Sequence, residues 1–284
     1  MSLTSKEDCL TALKDIEQLY PTPAVWAKVS HLLKNPDVNL EDIVRIIRTD
    51  PSLTSDIIRV SNSVFYGANV ASSNLLESLS RIGFKEVLRI IGLSISKSTM
   101  HNNLEAYGIS AESYWSTSFF TALSMEAIAE KNGHNMNDAY TVGILHSIGR
   151  LIIDKILEDF QASVYWNQQE AVEEWEHDLV GYNYAYAGAV ILHRWNFPEE
   201  LCDIIRFQLS PRKMEDPPVL VKILNYLVTT YRENPLYDIG NISEWEIPDN
   251  DILDDIDLEV DEVREILESC AAKLKSTRDS LSID

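Results

Sequence analysis

Apolar residues recur at helical spacing from one end of the chain to the other. Ile43, Ile46 and Ile47 stand at i, i+3, i+4, and Asn39 is placed to cap their helix. Asp50-Pro51 then reads as a stop and a restart, with Asp50 as N-cap and Pro51 in the first helical position, where no amide donor is needed. Leu53, Ile57 and Val60 form the inner face of the helix that follows, and Leu75, Leu76, Leu79 and Ile82 make another stripe. Val87, Leu88, Ile90, Ile91 and Leu93 read as a helix buried on all sides. Trp115, Phe119, Leu123 and Ile128 continue to Gly133, a C-cap candidate, and Asp138 is placed to cap a helix carrying Val142 and Leu145. A further helix carries Val219, Ile223, Tyr226 and Leu227. Val260, Val263, Leu267, Cys270 and Leu274 repeat at 3-4-3-4 spacing, which predicts a final helix packed on its own domain. Alternating strand patterns flanked by turn dipeptides are absent, so the expected fold is all-α.

Two interruptions divide the chain. Residues 101–113 are polar and contain Gly108, which suggests a lobe boundary. Residues 233–251 hold Pro235, Gly240 and Pro248 and read as a long loop, extending into an acidic stretch as far as 257. The expected layout is a leading helix in 1–17, a domain over 18–212 and C-terminal helices over 213–284. The domain's first lobe covers about 18–105 and its second begins near 110.

Charge narrows the partners. The formal charge is −21, and twelve acids against the lone base Arg264 fall within residues 244–268, so the remainder still carries about −10. Without a Lys/Arg-rich run, a nucleic-acid partner is not expected. The acidic run from Asp249 to Asp257 lacks the glycine and the closing glutamate of an EF-hand loop and reads as a solvated helix start. No apolar run approaches the length of a membrane helix, and Met1 to Leu10 lacks the apolar core of a secretory signal. Cys9, Cys202 and Cys270 are odd in number and far apart, as expected of free thiols in a reducing cytoplasm.

Residues 49–97, from TDPSLTSDIIRVSNSVFYG to LLESLSRIGFKEVLRIIGLSISKS, closely resemble the first half of an HDOD domain, the "HD-related output domain" of bacterial signalling proteins. Asp50, Pro51, Leu53, Asn62, Ser63, Phe65, Tyr66, Gly67, Ile82, Gly83 and Val87 carry the resemblance. Tyr114-Trp115, the segment GILHSIGRL at 143–151 and GAVILHRWNFPEELCDIIRFQLSP at 188–211 extend it into an HD-like second lobe. The resemblance implies a two-lobed helical HDOD/HD-like fold and an output or regulatory role.

HD phosphohydrolases hold divalent metal with several His, a His-Asp dipeptide and a late Asp, so that bound water can attack a phosphoester. Set against that pattern, His146 keeps its place, but Ser147 stands where the Asp would be. Ser116 or Thr117 stands for an upstream His, Tyr184 lies where another would fall, Gln208-Leu209 replaces a His pair, and Asn225 replaces the late Asp. No metal and no cofactor are expected, and His146 is expected to be a hydrogen-bonded core histidine. His31, His101, His134, His177 and His193 share no metal spacing, and no phosphate loop or nucleophile elbow is present.

The expected function is therefore a non-enzymatic signalling module that meets a signalling protein in trans or binds a small ligand. A metal-dependent phosphohydrolase acting on nucleotides or cyclic dinucleotides is the alternative. A third reading, a nucleotide sensor that binds without cleaving, needs a basic, aromatic-lined cleft. Arg150, Arg194 and Arg206, with Tyr182, Tyr184, Tyr186 and Trp195, are its scattered candidates.

Overall fold

The computed structural model describes residues 5–16, 40–62, 70–83, 103–167, 169–195, 197–234 and 236–281. Their regular secondary structure is helical, apart from one isolated bridge between Leu104 and Ile109. The motif residues Ser63, Phe65, Tyr66 and Gly67, the Asn39 cap and the helix expected at 87–93 lie outside the described residues.

The first lobe contains α2 (Leu40–Ile47), α3 (Pro51–Ser61) and α4 (Leu75–Ile82). Asp50 caps α3 as expected, its carboxylate accepting from the Leu53 amide at 2.8 Å, with Pro51 next in line. Asn62 closes the same helix and then holds the chain that returns to α4. Its Nδ2 donates to the Ser72 carbonyl at 3.0 Å, its Oδ1 accepts from the Ser72 amide at 2.6 Å, and Arg81 Nη1 donates to the same oxygen at 3.2 Å. Asn62 is buried, so an apolar side chain there would leave both Ser72 groups unpaired away from water. Asn62→Leu is expected to lower stability by about 1–3 kcal/mol. The check is urea denaturation, and an unchanged midpoint would show that water replaces the clamp.

The second lobe is built on α5 (Ala111–Lys131), which buries Trp115, Phe119, Phe120 and Ile128 around its circumference. Two of its hydroxyls bond back into the helix, Thr121 to the Thr117 carbonyl at 2.8 Å and Ser124 to the Phe120 carbonyl at 2.9 Å. Beyond α5, Gly133 takes φ +68 and the His134 amide reaches the Ala129 carbonyl, which ends the helix as the sequence suggests.

Next come α6 (Met136–Leu145), α7 (Ile148–Asp159), α8 (Val172–Val180), α9 (Tyr184–Arg194), α10 (Glu199–Phe207) and α11 (Val219–Glu233). The cap of α6 is Asn135 rather than Asp138. Asp138 instead accepts from Ser73 Oγ at 2.7 Å and Asn74 Nδ2 at 3.0 Å, tying the start of α6 to the first lobe. Arg48 makes a second tie: it pairs with Glu126 at 2.8 Å, lies 4.3 Å from the Tyr140 ring centroid, and accepts from the Tyr140 hydroxyl at its carbonyl.

Two glycines set how closely the second lobe packs. A Cβ on Gly143 would stand 2.6 Å from Ala122 Cα, so α5 and α6 cross almost backbone to backbone. A Cβ on Gly149 would stand 1.8 Å from the Tyr184 carbonyl oxygen, so α7 and α9 approach as closely.

The segment read as a loop after residue 233 is more ordered than its composition implied. A 3₁₀ stretch, Leu236–Glu244, buries Ile239 and Ile242, and a short helix, α12 (Asp251–Asp255), follows. Arg264 holds this stretch by donating to the Ile242 and Trp245 carbonyls, a long-range arrangement with no local signature. The final helix, α13 (Val260–Leu281), buries Val263, Leu267, Cys270 and Leu274 and packs along α5, as the 3-4-3-4 spacing predicted. At the other end of the sequence, α1 (Lys6–Asp15) packs on α7, α8 and α9 of the second lobe, with Cys9 and Leu13 buried. There Tyr182 donates its hydroxyl to the Cys9 carbonyl and Lys6 Nζ donates to the His177 carbonyl.

Candidate functional site

The turn between α6 and α7 carries His146 and Ser147 into the middle of the second lobe, where both are buried. The imidazole Nδ1 lies 2.7 Å from the Gly143 carbonyl. A carbonyl only accepts, so Nδ1 carries the hydrogen and Nε2 is the bare nitrogen of the neutral ring. Burial, assisted by the charge of Arg150, pushes the imidazole down to about 4 despite the opposing bond to Gly143, so the ring is neutral at physiological pH.

The other substituted positions gather around it. Gln208 Nε2 donates to the His146 carbonyl and to the Ile205 carbonyl, both at 2.8 Å. Asn225 Nδ2 donates to the Gln208 carbonyl at 2.6 Å, and Ser147 Oγ lies 3.4 Å from Ser118 Oγ. Tyr184 stands across the α7–α9 contact with the Arg150 guanidinium 4.5 Å from its ring centroid. His146, Ser147, Gln208 and Asn225 thus form one connected region joined largely through backbone carbonyls, with Tyr184 beside it.

The donors around His146 are mostly neutral. His146 is oriented as a metal-bound histidine would be, yet its neighbours are a hydroxyl, amides and a phenol. Among the described residues no three His, Cys, Asp or Glu side chains come together in a group that could hold an ion.

A cavity of about 1570 Å³ opens beside the pair, lined among others by His146, Ser147, Tyr114, Ser116, Arg150 and Tyr184. Of the arginines considered from sequence, Arg150 alone reaches it. Arg194 faces Asp15 at 3.9 Å, and Arg206 lies over Tyr186 and Phe207. The aromatic group also divides. Tyr182 and Tyr186 pack with tilted rings 5.9 Å apart toward α1, Trp195 lies under Arg59, and of the four only Tyr184 lines the cavity. Positions 184 and 186 are two apart on a helix and do not share a face, so this division was readable in the spacing.

Two residues behind the cavity carried no sequence signal. Glu176 is fully buried, accepting from the Tyr107 hydroxyl at 2.8 Å and the Tyr184 amide at 2.7 Å. Burial pushes its carboxyl up to about 7, although Arg150 and those two donors pull the other way. Tyr107, in the segment read as a polar seam, is completely buried and stacks edge-on with Trp175.

Residues 19–211 match the HDOD domain family. An uncharacterized protein of Treponema pallidum is 24% identical over 226 residues, covering 78% of this chain. The match takes in only 43% of that relative's own length. In fold, the chain is similar to a virulence factor of Campylobacter jejuni at a TM-score of 0.69 and 19% identity, over 94% of this chain and 96% of the other. It is similar as well to the MmoQ response regulator of Methylococcus capsulatus, at a TM-score of 0.68 and 18% identity, over 88% and 98%.

Proposed function

The chain belongs to the HDOD domain family, and from that premise we propose that it is a non-enzymatic regulatory module of signal transduction, acting through a protein partner in trans or a bound small ligand. The observation that carries the reading is the neutral set around His146. A hydrolytic ion needs about three protein ligands and an open position for water. Here one uncharged imidazole stands among Ser147, Gln208 and Asn225, with the two amides already donating to backbone carbonyls. None of them supplies the negative charge that offsets stripping water from a divalent ion. Three separate stretches of sequence contribute these neutral residues, so a shift of one helix would not rebuild a shell.

Signalling is the role implied by the family, and a response regulator of similar fold agrees with it. The test is metal analysis of the purified chain, with hydrolysis assays on nucleotides and cyclic dinucleotides in added manganese. The expected result is substoichiometric metal and no turnover. Stoichiometric metal, or turnover that disappears in His146→Ala, would replace this reading with that of a metal-dependent phosphohydrolase.

A further inference from the structure

Resting on the reading that this cavity performs no chemistry, we propose that it binds a small organic oxyanion, a phosphoryl or carboxylate group on a larger body, seated against Arg150, Tyr114 and Ser116. Nearly all buried polar atoms in folded proteins have a hydrogen-bond partner. Among the described residues, four in this cavity have none: the Tyr114 hydroxyl, the Ser116 hydroxyl, Arg150 Nε and the Tyr231 hydroxyl. Tyr114, Ser116 and Tyr231 are each more than nine-tenths buried. Ser118 and Ser147 lie near the Tyr114 hydroxyl, and Ser124 and Thr121 near that of Tyr231, but none of them meets it in hydrogen-bond geometry. Each of these groups can donate, so the cavity suits a ligand rich in acceptors.

Charge selects an anion. The cavity lining is balanced, four cationic side chains against four carboxylates, in a chain of −21. Arg232 is paired with Glu173, and Arg278 with Glu112. Arg150 has its Nε buried, and among the described residues no carboxylate oxygen stands within ion-pair distance of it. Glu176, behind it, gives its two oxygens to Tyr107 and Tyr184. Glu176 is near enough to feel the guanidinium's charge but makes no ion pair with it, so the planar fork is left for an oxyanion. The bare Nε2 of His146 adds one acceptor for a hydroxyl on the ligand.

Size asks for more than an inorganic ion, since about 1570 Å³ leaves room for an organic body. The wall on that side comes from α13, through Leu274 and the Arg278–Glu112 pair, and α13 lies beyond the family match at 19–211. The ligand's body therefore meets a surface that lies partly outside the family match.

The experiment is calorimetric titration of the full chain with AMP, adenosine, citrate and inorganic phosphate. Saturable one-to-one binding of AMP or citrate is expected, with adenosine not binding. The preference between the two anions identifies phosphoryl or carboxylate as the group held. In Arg150→Met affinity should fall about tenfold or more, the effect of losing a charge-assisted hydrogen bond. Tyr114→Phe keeps the ring and removes the hydroxyl; a severalfold loss with unchanged melting is expected, and this variant decides the matter if Arg150→Met does not fold. No saturable binding of any anionic probe at millimolar concentration, adenosine binding as well as AMP, or affinity unchanged in every variant that folds would overturn the proposal. AMP hydrolysis during the titration would sink the non-enzymatic reading while leaving the oxyanion site standing.

Discussion

Gly149→Ala should cost the second lobe more than any other single added methyl, about 3 kcal/mol or more. Overpacking a well-filled interior typically costs about 1–3 kcal/mol, relieved by rotamer and small backbone shifts. Here the new Cβ would meet the Tyr184 carbonyl oxygen at 1.8 Å and the Gly188 amide nitrogen at 2.8 Å. Both are helix backbone, and neither can swing aside. The helices α7 and α9 would have to part, pulling Arg150 from the Tyr184 ring and the Tyr184 amide from Glu176. Against a typical total of about 5–15 kcal/mol, that loss puts the fold near its threshold. Gly108→Ala is the control, since its methyl would meet nothing within 4 Å and its φ of +64 costs about 1 kcal/mol. Urea denaturation of the two variants decides the matter: if Gly149→Ala loses no more than Gly108→Ala, the α7–α9 contact yields more easily than its geometry says.

The second large effect is on pH. Glu176 has an ordinary value of 4.5 and is pushed up to about 7 in the fold, chiefly by burial. The folded state therefore binds the proton more tightly than the unfolded chain. Its contribution to stability is fully present below about 4.5 and is lost as pH rises through about 7. Between about pH 5 and pH 8 the loss should be on the order of 2 kcal/mol, because each tenfold difference in proton affinity is worth roughly 1.4 kcal/mol. Asp154, raised to about 6 mainly by burial, slopes the same way. Glu176→Gln removes the ionisation while keeping the shape, so its stability curve should be flatter across that range. Identical slopes in parent and variant would assign the pH dependence elsewhere.

The parts legible in the sequence were the parts set locally. The Asp50 cap, the end of α5 at Gly133 and the buried stripe of α13 each depend on neighbours within a turn or two. The misreadings share a cause of the opposite kind. Asp138 has the chemistry of a cap, but Asn135 occupies the capping position and Ser73 and Asn74 claim the carboxylate from 65 and 64 residues away. The 3₁₀ stretch after residue 233 exists because Arg264 collects its carbonyls from a helix yet to come. Within the site, the substituted positions around His146 could be located by resemblance to family motifs. That Arg150, and not Arg194 or Arg206, lies in the cavity depends on how α7 rolls against α9. Glu176 was invisible because a carboxylate in an acidic helix looks solvated until Tyr107 is found on top of it.

The docking of α1 has a consequence for the order in which the chain can assemble. Lys6 reaches the His177 carbonyl across 171 positions, and Cys9 meets Tyr182 across 173. Closing so long a loop has an entropic cost that must be met before any contact rewards it. During synthesis the apolar side of α1, with Cys9 and Leu13, meets its first native partner only when α7 has been made, and the rest with α8 and α9. The first described helix therefore waits for partners that are made much later than itself.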